Sequence, residues 1–257
     1  MERMEQRMND TMRALFARKS VRAFEAKEVP GEVKAALLQA AFQAPTAGNQ
    51  MLYTILDITD EALKSDLAEL CDHQPFIAKA PVVLIFLADC RRWLDLYRAA
   101  GLSPRAAGPG DLLLAMADAI IAAQNAVVAA ESFGLGSCYI GDILENCEAV
   151  RARLSLPDEV VPAAMLVLGY PTAQQSARKK PERFDAKQIV FENAYRTLTK
   201  EEHRAMYLER EARAGKPDTD FEASVTAFCK RKYEGDFSLE MSRSAASYLR
   251  AFQLQEE

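Results

Sequence analysis

The 257-residue chain is poor in the residues that build disulfide scaffolds and zinc sites. It has five cysteines, an odd number without a CxxC pair, and two histidines, His73 and His203. Disulfide frameworks use even numbers of cysteines, and zinc sites need closely spaced thiolates or imidazoles. Cys71 and His73 lie two residues apart, which is only a weak metal signal. We therefore expect free thiols, a reducing cytoplasm and no metal centre.

The chain also lacks the common catalytic signatures. It contains no GxSxG, no Walker loop, no HExxH, and no GxGxxG after a strand. No acid, base or nucleophile constellation stands out in their place. An enzyme of this kind usually takes its reactivity from a cofactor.

The overall charge excludes two further classes of partner. The formal net charge is -5, so we expect no general attraction to nucleic acid or to an anionic membrane. The first residues, MERMEQRMNDTM, alternate charges without an apolar run, which predicts no secretory signal.

The most apolar stretch is DLLLAMADAIIAAQNAVVAAESFGLGSCYIG, residues 111–141. Its first part predicts a helix that is apolar on most of its circumference, which is typical of a buried core helix or an interface. A membrane span is the competing interpretation, but Asp118, Gln124, Asn125 and Glu131 would be costly in lipid. Gly134 is expected to end the helix, and a short strand follows it.

Four apolar segments predict a central sheet between long helices. They are residues 52–58, 81–88, 136–141 and 163–168, and three helix-like pieces at 200–213, 219–231 and 238–254 form the tail. Strands interleaved with long helices favour an α/β or α+β sandwich.

Two polar clusters are candidate anion sites. Arg18, Ser20 and Arg22 alternate, so an extended backbone would project all three to one face, where they suit a phosphate or a carbonyl-rich ring. On spacing alone, a helix end favoured by basic residues is the simpler interpretation. A second basic cluster, residues 178–183, could close the other side of an anion or be a solvated loop.

Four motifs occur in the order seen in FMN-dependent nitroreductases, and the chain resembles the clostridial-type members of that family. They are RKSVRAF at 18–24, APTAGNQ at 44–50, GLGSCYIG at 134–141 and KKPERF at 179–184. The resemblance implies an α+β, three-layer sandwich whose mixed or antiparallel sheet is flanked by helices. It implies a homodimer with FMN at the subunit interface. We expect residues 1–198 to form the FMN-binding domain and 199–257 a helical extension that packs on the dimer.

The resemblance also implies which residues hold the cofactor. Arg18 and Ser20 would meet the FMN phosphate from one side, and Arg183 with Lys180 from the other, while Lys19 would contribute chiefly backbone contacts. Arg22 would lie near the N1–C2=O edge of the flavin. The remaining implied contacts are Pro45, Thr46 and Asn49 from the partner subunit, Gln74 at the ribityl chain or ring edge, and Tyr139, Ile140 and Gly141 along the ring.

The implied activity is transfer of a hydride from NAD(P)H through FMN N5 to a nitroaromatic, quinone or similar small acceptor, by a ping-pong mechanism. No side chain of the protein is expected to act as the catalyst. A specialised flavin reaction, such as reductive dehalogenation or flavin breakdown, and a non-catalytic flavin-binding protein are the alternatives. The sequence departs from the family's usual Lys-Pro-Arg phosphate motif at Glu182, which separates Pro181 from Arg183. Residues 91–110 correspond to a segment that varies within the family.

Overall fold

The computed structural model describes residues 8–253, which form an antiparallel sheet with helices around it. The strands are β1 (Tyr53–Asp57), β2 (Val82–Asp89), β3 (Gly136–Ile140) and β4 (Val160–Gly169). The first helices are α1 (Asp10–Ala17), α2 (Gly31–Phe42), α3 (Glu61–Leu70), α4 (Arg91–Ala99), α5 (Pro109–Ser132), α6 (Cys147–Leu154) and α7 (Ala173–Ala177). They are followed by α8 (Ala186–Ile189), α9 (Lys200–Arg213), α10 (Phe221–Lys232) and α11 (Asp236–Leu249). Short 3-10 turns lie at Ala47–Asn49, Asp142–Leu144 and Arg250–Phe252.

The strand order in the sheet is β1-β2-β4-β3, and every neighbouring pair is antiparallel. β2 and β4 are therefore central, and all their residues are buried, which explains their unbroken apolar sequences. The pairing of β2 with β4 shifts register between Phe86 and Leu87 and then continues to Val160. β4 therefore begins before Ala163, where the sequence predicted its start.

The sheet is covered on both faces, which makes three layers. Leu84 and Phe86 of β2 pack in a cluster with α2 and α5. Val83 and Ile85, which alternate with them, pack in a second cluster with α3 and α6. The period-two alternation of strand side chains places these neighbours on opposite faces. The predicted α+β sandwich, with helices on both faces, is confirmed.

The predicted central helix is α5, and its alanines make it the core helix. Ala119, Ala122, Ala123 and Ala126 are fully buried, because their small side chains let α5 approach the sheet and α2 closely. By length and composition α5 is also the one helix within residues 8–253 that could cross a membrane. Gly134 follows it with φ 71°, a left-handed conformation that ends the helix.

The chain divides into two compact units. Residues 8–178 and 240–253 belong to the unit that contains the sheet, and residues 179–239 form the second unit. In the second unit, Lys187 pairs with Glu209 at 2.9 Å, and Tyr207 stacks edge-on against Phe221. These limits differ from the division expected after residue 198, which stays a prediction about folding domains.

Residues 248–252 pack in the sheet-containing unit. Tyr248 and Phe252 are 1% and 0% exposed, in a cluster with Leu52, Cys90 and Val161. The contact is within one chain, so part of the predicted extension belongs to the protein's own core.

Candidate functional site

The segment that carries Arg18, Ser20 and Arg22 lies along the open edge of β3. Ser20 pairs in parallel with Ser137, and the Val21 amide donates to the Ser137 carbonyl at 2.9 Å. This added parallel pairing makes the antiparallel sheet mixed at its edge. The segment therefore lies beside β3 as the extended alternative required, whereas spacing alone had favoured a simple helix end, and Arg18 is indeed the residue that caps α1.

Gly136 permits this close approach. A β-carbon on Gly136 would lie 2.5 Å from Cγ2 and 2.8 Å from Cβ of Val21, well inside van der Waals contact. Gly136 of the GLGSCYIG motif therefore lets the segment with Arg18 and Arg22 lie directly against β3.

We expect Gly136→Ala to lower the free energy of unfolding by about 1–3 kcal/mol, because the added methyl group forces Val21 away from β3. Urea unfolding followed by circular dichroism measures this change. Gly110→Ala is the matched control, since a β-carbon there meets nothing within 4 Å. Equal stability of the two variants would show that the approach of Val21 is not tight.

Arg18 is the most informative side chain at this edge. Its Nε is buried and has no hydrogen-bond partner among the described residues, and its Cζ lies 5.9 Å from the ring centroid of Tyr139. A buried guanidinium N–H that donates to nothing is costly, so the arrangement suits an acceptor that comes from a ligand. Ser137 Oγ, fully buried on the adjacent strand, is a second polar atom without a partner within residues 8–253.

The other charged groups of the segment have defined neighbours. Burial raises the pKa of the Cys138 thiol, while Arg22 and Arg18 oppose that rise, so both guanidinium groups lie near the middle of β3. The Arg22 side chain is exposed, and its backbone amide donates to Gln175 Oε1 at 3.3 Å. Lys19 donates from Nζ to the carbonyls of Ser176 and Arg178, at 2.6 and 2.5 Å. The Lys19 side chain therefore connects the Arg18 segment to residues 176–178, at the start of the second basic cluster.

The end of β3 carries the predicted ring contacts. Tyr139 is half-buried and donates to Gln124 Oε1 at 3.3 Å, and burial raises the pKa of its phenol to about 12. Ile140 is buried, whereas Gly141 is exposed with open space where a β-carbon would stand. Backbone at Gly141 is therefore accessible to a flat ligand.

Gln74 reaches the same strand end from the loop after α3. Its Nε2 donates to the Cys71 carbonyl at 2.8 Å and to Asp142 Oδ2 at 3.0 Å. Asp142 directly follows Gly141, so the structure brings Gln74 to the end of β3, and its contact with the ribityl chain or ring edge stays a prediction.

The loop with Pro45, Thr46 and Asn49 lies at the other edge of the sheet. It leads through residues 51–52 into β1, which is three strand spacings, or about 14 Å, from β3. One chain therefore does not bring this loop to the Arg18 segment across the sheet.

Asp118 on α5 organises that loop. It is 3% exposed and accepts hydrogen bonds from the Thr46 hydroxyl, the Ala47 amide at 2.9 Å and the Leu52 amide at 3.1 Å. The sequence marked Asp118 only as one polar residue in an apolar helix. An aspartate in the core-facing stripe of such a helix is the signal that could have indicated this role.

Lys180 and Arg183 belong to the second compact unit. There the Arg183 carbonyl accepts from Arg213 Nη2 at 2.7 Å, and Arg213 also pairs with Asp185 at 3.0 Å. The predicted phosphate contacts of Lys180 and Arg183 stay predictions.

Comparison with known proteins shows the family to which this chain belongs. The family model described as "Nitroreductase family" matches residues 15–170, the segment that includes the Arg18 edge, the Asp118 loop and the end of β3. This chain belongs to the nitroreductase family. The resemblance seen in the four sequence motifs is thereby confirmed.

Individual nitroreductase relatives match over most of their length. The FMN reductase (NADPH) of Bacillus subtilis is 30% identical over 88% of this chain and 93% of its own. The oxygen-insensitive NADPH nitroreductase of Salmonella typhimurium is 34% identical over 74% of this chain and 77% of its own. The structure of the NADPH:FMN oxidoreductase from Vibrio harveyi with NAD+ superposes with a TM-score of 0.78 at 26% identity, covering 94% of this chain and 98% of the other.

Proposed function

We propose that this nitroreductase is an FMN-dependent enzyme that passes electrons from NAD(P)H to small acceptors such as nitroaromatics and quinones. The observation that carries the proposal is the buried, unpartnered Nε of Arg18 beside the open end of β3. The names of the relatives support both FMN and a nicotinamide donor. Four cysteines are buried and one is exposed, all as free thiols, which supports a reducing, cytoplasmic setting.

The residues along β3 fit the cofactor from phosphate to ring. Arg18 and Ser20 supply charge-assisted and neutral hydrogen bonds of the kind that hold a phosphate. Arg22 places a fixed cation near the flavin edge, where it favours negative charge.

When bound, FMN supplies the chemistry itself, by accepting a hydride at N5 and delivering electrons to the acceptor. The chain's part is to bind and to leave space. Gly141 keeps the approach to the strand end open, and the backbone of Tyr139 and Ile140 would run along the ring. A donor and an acceptor that use this one opening in turn give ping-pong kinetics.

We also propose that the enzyme is a homodimer with FMN between the subunits. The loop of Pro45, Thr46 and Asn49 leads into β1 and the Arg18 segment lies on β3, at opposite edges of one sheet, which supports a flavin site that a second copy completes. α5 offers an apolar surface for that contact, with Leu113 and Leu114 71% and 52% exposed.

Absorption spectroscopy with mass spectrometry of the released chromophore tests the proposal. We expect a yellow protein that releases FMN and oxidises NADPH or NADH steadily when a nitroaromatic is added. A flavoprotein without turnover would be a flavin-binding protein, and different products would indicate a specialised flavin reaction. A colourless protein that takes up no FMN would contradict the proposal.

Arg18→Ala should weaken FMN binding by about tenfold to hundredfold, because it removes a charge-assisted contact worth about 1.5–3 kcal/mol. Fluorescence of FMN released on dilution measures the dissociation constant. Arg13→Ala on α1 is the control, since Arg13 is exposed and pairs only with Asp10 at 3.1 Å in the described chain. Unchanged FMN affinity in Arg18→Ala would remove Arg18 from the phosphate site.

A further inference from the structure

A pair of carboxyl groups lies just beyond Gly141, outside the set of residues discussed so far. Glu145 is 4% exposed and shares a hydrogen bond with Asp142, while its Oε1 is buried without a partner among the residues described. Asp142 also accepts from Gln74 Nε2 at 3.0 Å. Glu145, Asp142 and Gln74 therefore form a hydrogen-bonded chain that ends at the candidate flavin site.

The backbone around Glu145 is fixed from both sides. Asn146 has a left-handed conformation with φ 51°, and its side chain donates to the Leu70 carbonyl at 2.8 Å. Ser244 of α11, itself fully buried, accepts from the Cys147 amide at 2.8 Å and donates to the Leu144 carbonyl at 2.6 Å. These contacts leave the Glu145 side chain inside the protein instead of in solvent.

The groups that face Glu145 are acidic. They come from three places: Asp142 beside it, Asp72 after α3, and Glu240 on α11, with the Cys71 thiol also close to the pair. Burial first, and then these carboxylates, raise the pKa of Glu145 to about 7. In its neutral form Glu145 donates a hydrogen bond to the Asp142 carboxylate.

The Gln74 amide is held in one orientation by this arrangement. Both hydrogens of Nε2 are engaged, one by the Cys71 carbonyl at 2.8 Å and one by Asp142. Only the amide oxygen is then left to accept a hydrogen bond, and a flavin offers donors in its ring N3–H and its ribityl hydroxyls.

We propose that Glu145 is a positioning residue of the flavin site: its carboxyl group donates a hydrogen bond that holds the Asp142 carboxylate in place, and Asp142 in turn fixes the Gln74 amide with its oxygen as the acceptor for bound FMN. The inference rests on the proposed function and adds a residue to it. When Glu145 loses the proton, two carboxylates stand side by side and repel, so Asp142 no longer holds Gln74 in place. FMN affinity should therefore fall as the pH rises through 7.

The test is the dissociation constant of FMN, measured by dilution of the holoenzyme between pH 6.5 and 8.5. In the wild type we expect binding to weaken at least about tenfold, since only the neutral form is competent and its fraction falls tenfold per pH unit above 7. Glu145→Gln still donates a hydrogen bond but does not ionise, so its FMN affinity should vary far less over the same range. Titration of the FMN phosphate is common to both proteins and does not separate them.

Two further variants make the result specific. Glu148→Gln, three residues on, changes an exposed carboxylate that pairs with Arg243 at 2.8 Å, and it should keep the wild-type pH dependence. Asp142→Asn removes the like charge beside Glu145, so it should flatten the profile too and serves if Glu145→Gln is unstable. A flat wild-type profile, or one that Glu145→Gln and Asp142→Asn leave unchanged, would overturn this inference while FMN binding itself stands. A protein that binds no FMN at any pH would overturn the proposed function and the inference together.

Discussion

Asp118→Ala should destabilise the chain by about 3 kcal/mol or more and free the loop before β1 from α5. The carboxylate accepts hydrogen bonds from the Thr46 hydroxyl and the amides of Ala47 and Leu52. Each buried donor left without an acceptor costs about 1–3 kcal/mol. The Leu52 donor is buried, so water does not replace the lost carboxylate there without opening the core.

Urea unfolding gives the loss of stability, and limited proteolysis shows whether residues 44–52 become accessible. Asp118→Asn keeps one acceptor oxygen and should lose less than the alanine variant. Asp95→Ala is the control for removing an aspartate, because Asp95 is exposed on α4 and water screens its ion pairs with Arg91 and Arg98. A loss in Asp118→Ala no larger than in Asp95→Ala would show that the loop does not depend on this carboxylate.

Asp118→Ala also tests the proposed homodimer. The Thr46 loop is proposed to serve the flavin of the partner subunit, so a freed loop should weaken FMN binding without touching Arg18. Arg18→Ala weakens binding at the other edge of the same sheet. The two variants therefore separate the phosphate contact from the contribution of the second subunit.

Local pattern was sufficient to predict most of the fold. The run PVVLIFLA predicted a strand buried on both faces, and Val82–Asp89 is fully buried at the centre of the sheet. The apolar helix ending at Gly134 is α5, and the alternation of Arg18, Ser20 and Arg22 matches an extended segment on β3. In each case neighbouring residues alone decide the conformation and the buried face.

The polar roles could not be predicted in the same way, because their partners are distant in sequence. Asp118 holds donors that lie 66 to 72 residues earlier, and Asp142 meets Gln74 across 68 residues. Periodicity gives the face on which such a residue lies, but not the donor that it meets there. Glu145 and Ser244 were overlooked for the same reason, since α11 contacts the chain after β3 only in the folded protein.

The helices that follow residue 199 show the same limit of prediction from sequence, because their packing partners are distant too. These helices were predicted close to their observed bounds, at Lys200–Arg213, Phe221–Lys232 and Asp236–Leu249. The sequence of an amphipathic helix does not show against which core its apolar face will pack. Residues 240–253 pack in the chain's own sheet-containing unit, and packing of the preceding residues on a partner stays a prediction.

Phe252→Ala should lower the free energy of unfolding by about 3–5 kcal/mol, because it removes a fully buried ring and leaves a cavity beside Leu52 and Val161. Thermal unfolding should show a fall in Tm of about 10 °C for a chain of this size. Phe228→Ala makes the same substitution on α10, where the ring is 48% exposed, and should change stability by no more than about 0.5 kcal/mol.

The dependence of this loss on protein concentration decides whose core the ring completes. If Phe252 packs within its own chain, as the cluster with Cys90 and Tyr248 indicates, the difference in unfolding free energy between wild type and variant is independent of concentration. If the ring instead completes a partner's core, the variant loses more as the protein is diluted, because its weaker dimer dissociates at concentrations where the wild type stays assembled. A concentration-independent loss would place Phe252, and with it the turn Arg250–Phe252, in the fold of one subunit.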